Sequence, residues 1–177
     1  MDTETDSPDA AIRLGSAVFR VQVTDRGIKR LVLPPLEKAK NGRIKSIVDI
    51  SINRRLGPEE SRWIADAAAY LQSMFQGKHP AVSTYVKLEG QTVFTRRVLD
   101  AAMEISWGET RSYSWVARRI GKPGAARAVG QALGRNPVPL MIPCHRVINK
   151  DGSLGGFGQG TDWKEWLLEI ERGGKGL

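Results

Sequence analysis

The chain has 177 residues, 41% of them hydrophobic, enough to bury the core of one large domain or two small ones. It carries a net charge of +8, one cysteine and two histidines, and its apolar runs are far too short to cross a bilayer. This excludes an internal disulfide, a Cys/His metal cluster and a helical membrane anchor, and the acidic, polar residues 1–10 are the opposite of a signal peptide. The expected setting is a reducing, intracellular compartment, in the simplest case the cytoplasm.

Residues 1–14 read as a flexible tail. Residues 17–23 and 28–33 read as strands joined by the turn Thr24-Asp25-Arg26-Gly27, and Pro34-Pro35 ends the hairpin. Residues 37–43 are charged and read as a loop. Residues 43–52 alternate, with Ile44, Ser46, Val48, Ile50 and Ile52 on one side, which predicts a third strand. Pro58 opens a helix whose apolar face is Trp63, Ile64, Ala67, Tyr70, Leu71 and Met74, and Gly77 closes it. His79 has no neighbour of ligand character in sequence and reads as a surface or packing residue. Residues 81–88 predict another strand. Together these define a small N-terminal α/β domain over residues 15–88, followed by a linker at Glu89-Gly90.

The second half, residues 91–172 with a flexible tail at 173–177, reads as mainly helical. Val93, Val98, Leu99, Ala102 and Ile105 mark an amphipathic helix ended by Gly108. A short helix over 112–120, a stop at Gly121-Lys122-Pro123-Gly124 and a second short helix over 125–133 form a helix-turn-helix pattern. The second helix is nearly bare, with Arg127 its one long arm and Gln131 its other polar group, as suits either a packed core helix or an approach to a narrow groove. Between Arg111 and Lys150 lie eight Lys or Arg and no Asp or Glu, so the partner of this surface is expected to be a polyanion.

The same window holds Cys144 beside His145 and Arg146, after an approach that Pro137, Pro139 and Pro143 are expected to keep extended and stiff. A thiol with cationic and imidazole neighbours can be activated as a nucleophile, although a lone cysteine is also an ordinary small core residue. The glycine-rich stretch Leu154-Gly155-Gly156-Phe157-Gly158-Gln159-Gly160 can wrap a flat ligand or serve as a plain connector. Thr161 is the expected N-cap of a last helix with Trp163, Trp166, Leu167 and Ile170 apolar. Glu171, at its end, opposes the helix dipole and is either a surface residue or held there for a purpose.

These residues resemble the O6-alkylguanine-DNA alkyltransferases, or methylated-DNA–protein-cysteine methyltransferases. The likeness runs from about Gly90 to Glu171. It rests on Gly108-Glu109-Thr110, Ser112-Tyr113, Ala125-Ala126-Arg127-Ala128-Val129-Gly130, Asn136-Pro137, Pro143-Cys144-His145-Arg146-Val147-Ile148, and Lys164 with Trp166-Leu167-Leu168. It implies a ribonuclease H-like N-terminal α/β domain and a helical C-terminal domain with a helix-turn-helix and a Pro-Cys-His-Arg site.

The implied activity is repair of double-stranded DNA by a monomer without a cofactor. O6-alkylguanine, and O4-alkylthymine, is flipped from the duplex, and its alkyl group passes irreversibly to Cys144, once per chain. His145 would be a water-mediated base, Glu171 would orient it, Tyr113 would crowd the phosphate and donate a proton, and Asn136 would tie the DNA-binding turn to the active-site segment. Arg127 would be the finger that fills the vacated space. Ser112, Tyr113, Ala125, Ala126, Gly130, Gln131 and Arg135 would meet the DNA. In this family the contact is with the minor groove, where sequence alone suggests major-groove docking. Val147, Phe157, Gly158 and Gln159 would form the base pocket.

Phe157 and Gln159 depart from the family's usual tyrosine and glycine, which leaves tolerance for bulky alkyl groups open. The cysteines of the structural zinc site found in some members are missing, so no metal is expected. A non-catalytic lesion sensor is opposed by Cys144, and a sequence-reading regulator by the bare second helix. A Cys-His hydrolase would differ by turning over.

Overall fold

The computed structural model describes residues 7–41, 48–80 and 86–173. The chain divides into two compact units that meet at Lys87 and Leu88. The composition of elements is mixed α/β.

The first unit is a four-stranded sheet with a helix against it. The strands β1 (Ala10–Leu14), β2 (Ala17–Thr24), β3 (Gly27–Val32) and β4 (Val48–Ile52) lie in the order β3-β2-β1-β4, every pair antiparallel. Alternation decides the faces: Ala10, Ile12, Leu14, Ala17, Phe19, Val21 and Val23 are buried, while Arg13 and Arg20 point to solvent. Between β3 and β4 runs α1 (Leu36–Asn41), and after β4 comes α2 (Pro58–Phe75). Helix α2 buries all six of the residues expected on its apolar face, and adds Ala68 and Phe75. Its end is a left-handed Gly77, with Gly77 N–H on Met74 and Lys78 N–H on Ser73.

Two expectations need correction. Residues 10–14 are not a flexible tail: they form β1, an inner strand paired on both sides. Residues 37–41 are not a loop but most of α1, anchored by buried Ala39 and started by amide bonds to the Pro35 carbonyl. The described part of the expected third strand, Val48–Ile52, is β4, which ends the strand order, and its last residue Ile52 is exposed. Residues 43–47 and 81–85 lie outside the described residues; within the expected final strand, Val86 makes a single bridge to Ile28.

The second unit is built from α3 (Val93–Met103), α4 (Tyr113–Arg119), α5 (Ala126–Gly134) and α6 (Thr161–Glu171), with β5 (Arg111–Ser112) and β6 (Val147–Ile148) pairing in parallel. Thr92 caps α3 by accepting the Thr95 amide, and Ser112 caps α4 by accepting the Trp115 amide. Val93 is exposed, so the apolar face of α3 starts at Thr95 and Val98. Helices α3, α4 and α5 pack on one another, and α4 turns into α5 through left-handed Gly121. Thr161 is not the cap of α6. That place is taken by Gly160, at φ +96°, and no side chain caps the helix.

Candidate active site

Cys144 opens a single turn of 3-10 helix, Cys144–Arg146, and is only 5% exposed. The segment before it is rigid: Val138, Leu140 and Ile142 are fully buried, and Leu140 holds a left-handed φ of +75°, a strain of about 1–2 kcal/mol for a residue with a side chain. Asn136 organises it from within. Its Oδ1 accepts the Val138 amide, and its Nδ2 donates to the Ile142 carbonyl and to Cys144 Sγ, each at 3.0 Å. Burial pushes the thiol up to about 11, although Asn136 and the charge of Lys164 pull it down. At pH 7 a thiol of that pKa is ionised in on the order of one molecule in ten thousand.

His145 is fully buried, with Nε2 2.7 Å from Glu171 Oε1. Burial drives the ring towards its neutral form, the Glu171 carboxylate opposes this, and Arg146 and Lys164 reinforce it. Burial also disfavours an ionised Glu171, but the hydrogen bonds and charges of His145 and Arg146 outweigh it and hold the carboxyl at about 2. A carboxylate accepts, so Nε2 carries the proton and Nδ1 keeps its lone pair. Nδ1 is buried and bonded to no group among the described residues, so it is free to take a proton.

The carboxylate has further partners. Arg146 Nε and Nη2 reach it at 2.9–3.1 Å, and the Gly108 amide reaches Oε2 at 3.0 Å. Arg146 also donates to the Ile105 carbonyl at 2.6 Å and lies over the Trp107 ring. Sequence reasoning gave Arg146 and Gly108 no part in this network. The available signal was Arg146 itself, a guanidinium next to a buried imidazole.

A cleft of about 820 Å³ opens between α4, α5 and the glycine loop; neither Cys144 nor Val147 is among its walls. Its walls include Tyr113, Ala126, Arg127, Gly130, Gln131, Gly156, Phe157 and Gly158, all expected at the site except Gly156. Asn149 and Lys150 also line it and were not expected to. Arg135 and Gln159 are exposed outside these walls, and Ala125 is the N-cap residue of α5. Ser112 spends its hydroxyl on the cap of α4 and on Ser114 Oγ. Tyr113 packs against Gly155 so tightly that a Cβ there would lie 2.8 Å from the hydroxyl oxygen. Only glycine tolerates both that approach and the φ of +67°. Val147 is buried, and its carbonyl accepts from Lys164 Nζ at 2.6 Å.

The arrangement holds a cysteine nucleophile next to a paired imidazole and carboxylate, and Lys164 ties the end of that segment, at the Val147 carbonyl, to Gly156 in the wall of a cleft that also carries Arg127 and Lys150. A family model described as "6-O-methylguanine DNA methyltransferase, DNA binding domain" matches residues 93–173. A methylated-DNA–protein-cysteine methyltransferase of Methanosarcina barkeri is 46% identical over 113 residues, 64% of this chain and 71% of that protein. One of Mycobacterium tuberculosis is 39% identical over 144 residues, 78% of this chain and 86% of that one. Among solved structures, Mycobacterium tuberculosis OGT in complex with DNA superposes with a TM-score of 0.70 at 31% identity, covering 92% of this chain and 91% of that one. The chain belongs to the methylated-DNA–protein-cysteine methyltransferase family.

Proposed function

We propose that this chain repairs double-stranded DNA by moving the alkyl group of O6-alkylguanine, and of O4-alkylthymine, onto its own Cys144, once per molecule. The observation that carries this reading is the buried Cys144 thiol, held by Asn136 and followed by a His145 whose ring, among the described residues, is bonded at the nitrogen facing Glu171 and open at the other.

Helix α4, its turn and α5 act as a helix-turn-helix against the minor groove. Small residues on α5 allow close approach, and exposed Arg127 at its first turn enters the space the flipped base leaves. Ala126, Gly130 and Gln131 line the approach, with Ser112, Ala125 and Arg135 nearby. The N-terminal unit keeps its ribonuclease H-like reading, on three consecutive antiparallel strands. One chain acts alone and needs no cofactor.

In the cleft, Phe157 packs on the base, the Gly158 amide faces O6, the carbonyls of Cys144 and Val147 read the amino group, and Gln159 closes the loop. The thiol proton passes through a water to His145 Nδ1, and the imidazolium is balanced by Glu171. Sγ attacks the alkyl carbon, the S–C bond forms and the C–O bond breaks. Tyr113 gives a proton to the purine ring as guanine leaves. The thioether has no leaving group, so the chain is spent.

The test is incubation with O6-benzylguanine, read by intact mass and by released guanine. One benzyl group on Cys144 and one guanine per chain are expected, and Cys144→Ser abolishes transfer while keeping DNA binding. Absence of an adduct at Cys144, or several guanines per chain, would refute the proposal.

A further inference from the structure

The N-terminal sheet buries one face against α2 and leaves the other open. Arg13 of β1, Arg20 of β2 and Arg30 of β3 stand on the open face, and all three are exposed. Arg30 reaches it through an irregularity. The register shifts between Gln22 and Val23, so Lys29 is an extra residue and Arg30 returns to the outer side opposite Gln22.

Pairing fixes the spacing. Arg20 lies opposite Ala11 on one side and Val32 on the other, while Arg13 lies opposite Val18 and Arg30 opposite Gln22. Arg13 and Arg30 are therefore each one diagonal step from Arg20, in opposite directions. The three cations form a straight row across the sheet, with steps of roughly 7–8 Å. Between Arg20 and Arg30 the surface dips into a hollow of about 190 Å³, walled also by Gln22, Val32 and Pro8. Two guanidiniums and an amide around such a hollow suit a tetrahedral oxyanion.

The surroundings narrow the ligand. Among the described residues, the carboxylates bordering the row are Asp49, opposite Arg13, and Asp9, which accepts the Val23 amide and pairs with Arg54 at 2.6 Å. The side chains between the arginines, Ala11, Val18 and Val32, are small or aliphatic. The described face offers no aromatic ring on which an unpaired base could stack and no large exposed apolar side chain to enter a lipid layer. A row of cations without either fits the outside of a duplex.

We propose that this face is a second DNA-binding surface, which holds the sugar–phosphate backbone of a duplex. One phosphate sits in the hollow between Arg20 and Arg30, and a further phosphate of the same strand meets Arg13. Contacts of this kind carry no sequence preference. The site lies in the first unit, apart from the helix-turn-helix, and its existence does not depend on alkyl transfer.

The test compares the full chain with Arg13→Gln/Arg20→Gln/Arg30→Gln. A control, Lys38→Gln/Arg62→Gln/Lys78→Gln, removes the same charge from exposed positions on α1, on α2 and in the turn that closes α2. Binding of an undamaged duplex is followed by fluorescence anisotropy over a range of salt. Each phosphate contact contributes roughly 0.9 to the slope of log K against log salt, so the arginine variant is expected to lose about 2 from it and to bind about tenfold more weakly at low salt. The control is expected to keep the wild-type slope. Benzyl transfer from O6-benzylguanine should stay within about threefold of wild type in both. In the wild-type chain, excess duplex is expected to protect Arg20 and Arg30 from phenylglyoxal, read by peptide mass, and to leave the reactivity of Arg62 unchanged. An arginine variant with the wild-type slope overturns the proposal, as does a control that loses as much. Absence of protection at Arg20 and Arg30 overturns it even if the variants do not fold, and so does protection by anionic lipid vesicles but not by duplex. A wild-type chain that ignores O6-benzylguanine defeats the alkyl-transfer reading alone, and the protection experiment still decides this one.

Discussion

Replacing Glu171 with glutamine removes one charge and leaves the shape. Four N–H groups converge on the carboxylate, from Gly108, His145 and two positions of Arg146. An amide keeps one accepting oxygen, so some of these donors lose their partner, and buried Arg146 loses its counter-charge. The cost follows from two routes. A carboxyl held at about 2 against an ordinary 4.5 stores about 3 kcal/mol of folding free energy. Breaking a buried ion pair on one side costs about 3–5 kcal/mol. For a chain of this length about 3 kcal/mol lowers the Tm by roughly 6–12 °C. The pH dependence has a definite sign. The folded-state pKa is depressed, so the wild-type contribution is complete above the unfolded value of 4.5 and is lost as pH falls towards 2. Thermal melts followed by circular dichroism should therefore show a constant gap between wild type and Glu171→Gln from pH 8 to about 5, narrowing below 4.5. A gap under about 2 °C at pH 7 would show that burial of the carboxylate cancels its partners, and the reasoning would fail.

Other substitutions probe separate parts of the site. Gly155→Ala forces a methyl against the Tyr113 ring at a left-handed φ; we expect a loss of about 2–3 kcal/mol in urea melts and much slower benzyl transfer, and a melt equal to wild type would contradict the contact. Arg127→Ala removes an exposed side chain, so the Tm should hold within about 2 °C while duplex repair falls far more than reaction with free O6-benzylguanine; equal losses on both substrates argue against the finger. Asn136→Ala strips three hydrogen bonds from the thiol segment; it should cost about 2–3 kcal/mol and raise the pH at which iodoacetamide alkylates Cys144, and an unchanged pH profile would exclude the Sγ contact as a thiol-lowering one.

What could be read from the sequence was local. The apolar stripe of α2 and the short helices α4 and α5 follow from spacing, and both stand; the approach to Cys144, expected extended from its prolines, instead turns, with Leu140 left-handed and the Ile142 amide on the Val138 carbonyl. Strand β1 was missed because it owes its place to distant partners: Leu14 pairs with Ala17 across a turn but with Val48 across the sheet. Helix α1 was missed because, over residues 36–40, Ala39 is the one buried side chain, among charged neighbours that read as loop. Glu171 shows the limit most clearly. Local electrostatics argued against a carboxylate at a helix end, and the resemblance alone gave it a purpose; its actual stabilisers, Arg146 and the Gly108 amide, lie 25 and 63 residues away. Lys164 is buried on the same face of α6, seven residues before it, and was named only among the residues that carry the resemblance.

The thiol belongs to the hydrophobic core, between fully buried Ile142 and Val147 in the chain, with Asn136 Nδ2 3.0 Å from its sulfur. Whatever carbon it accepts must be accommodated where packing leaves little room, and each added methylene in such a place costs about 1–3 kcal/mol. A spent chain therefore differs from a fresh one in firmness as well as in mass. The larger the group removed from DNA, the looser the molecule that carries it away, and the sooner it opens to a protease.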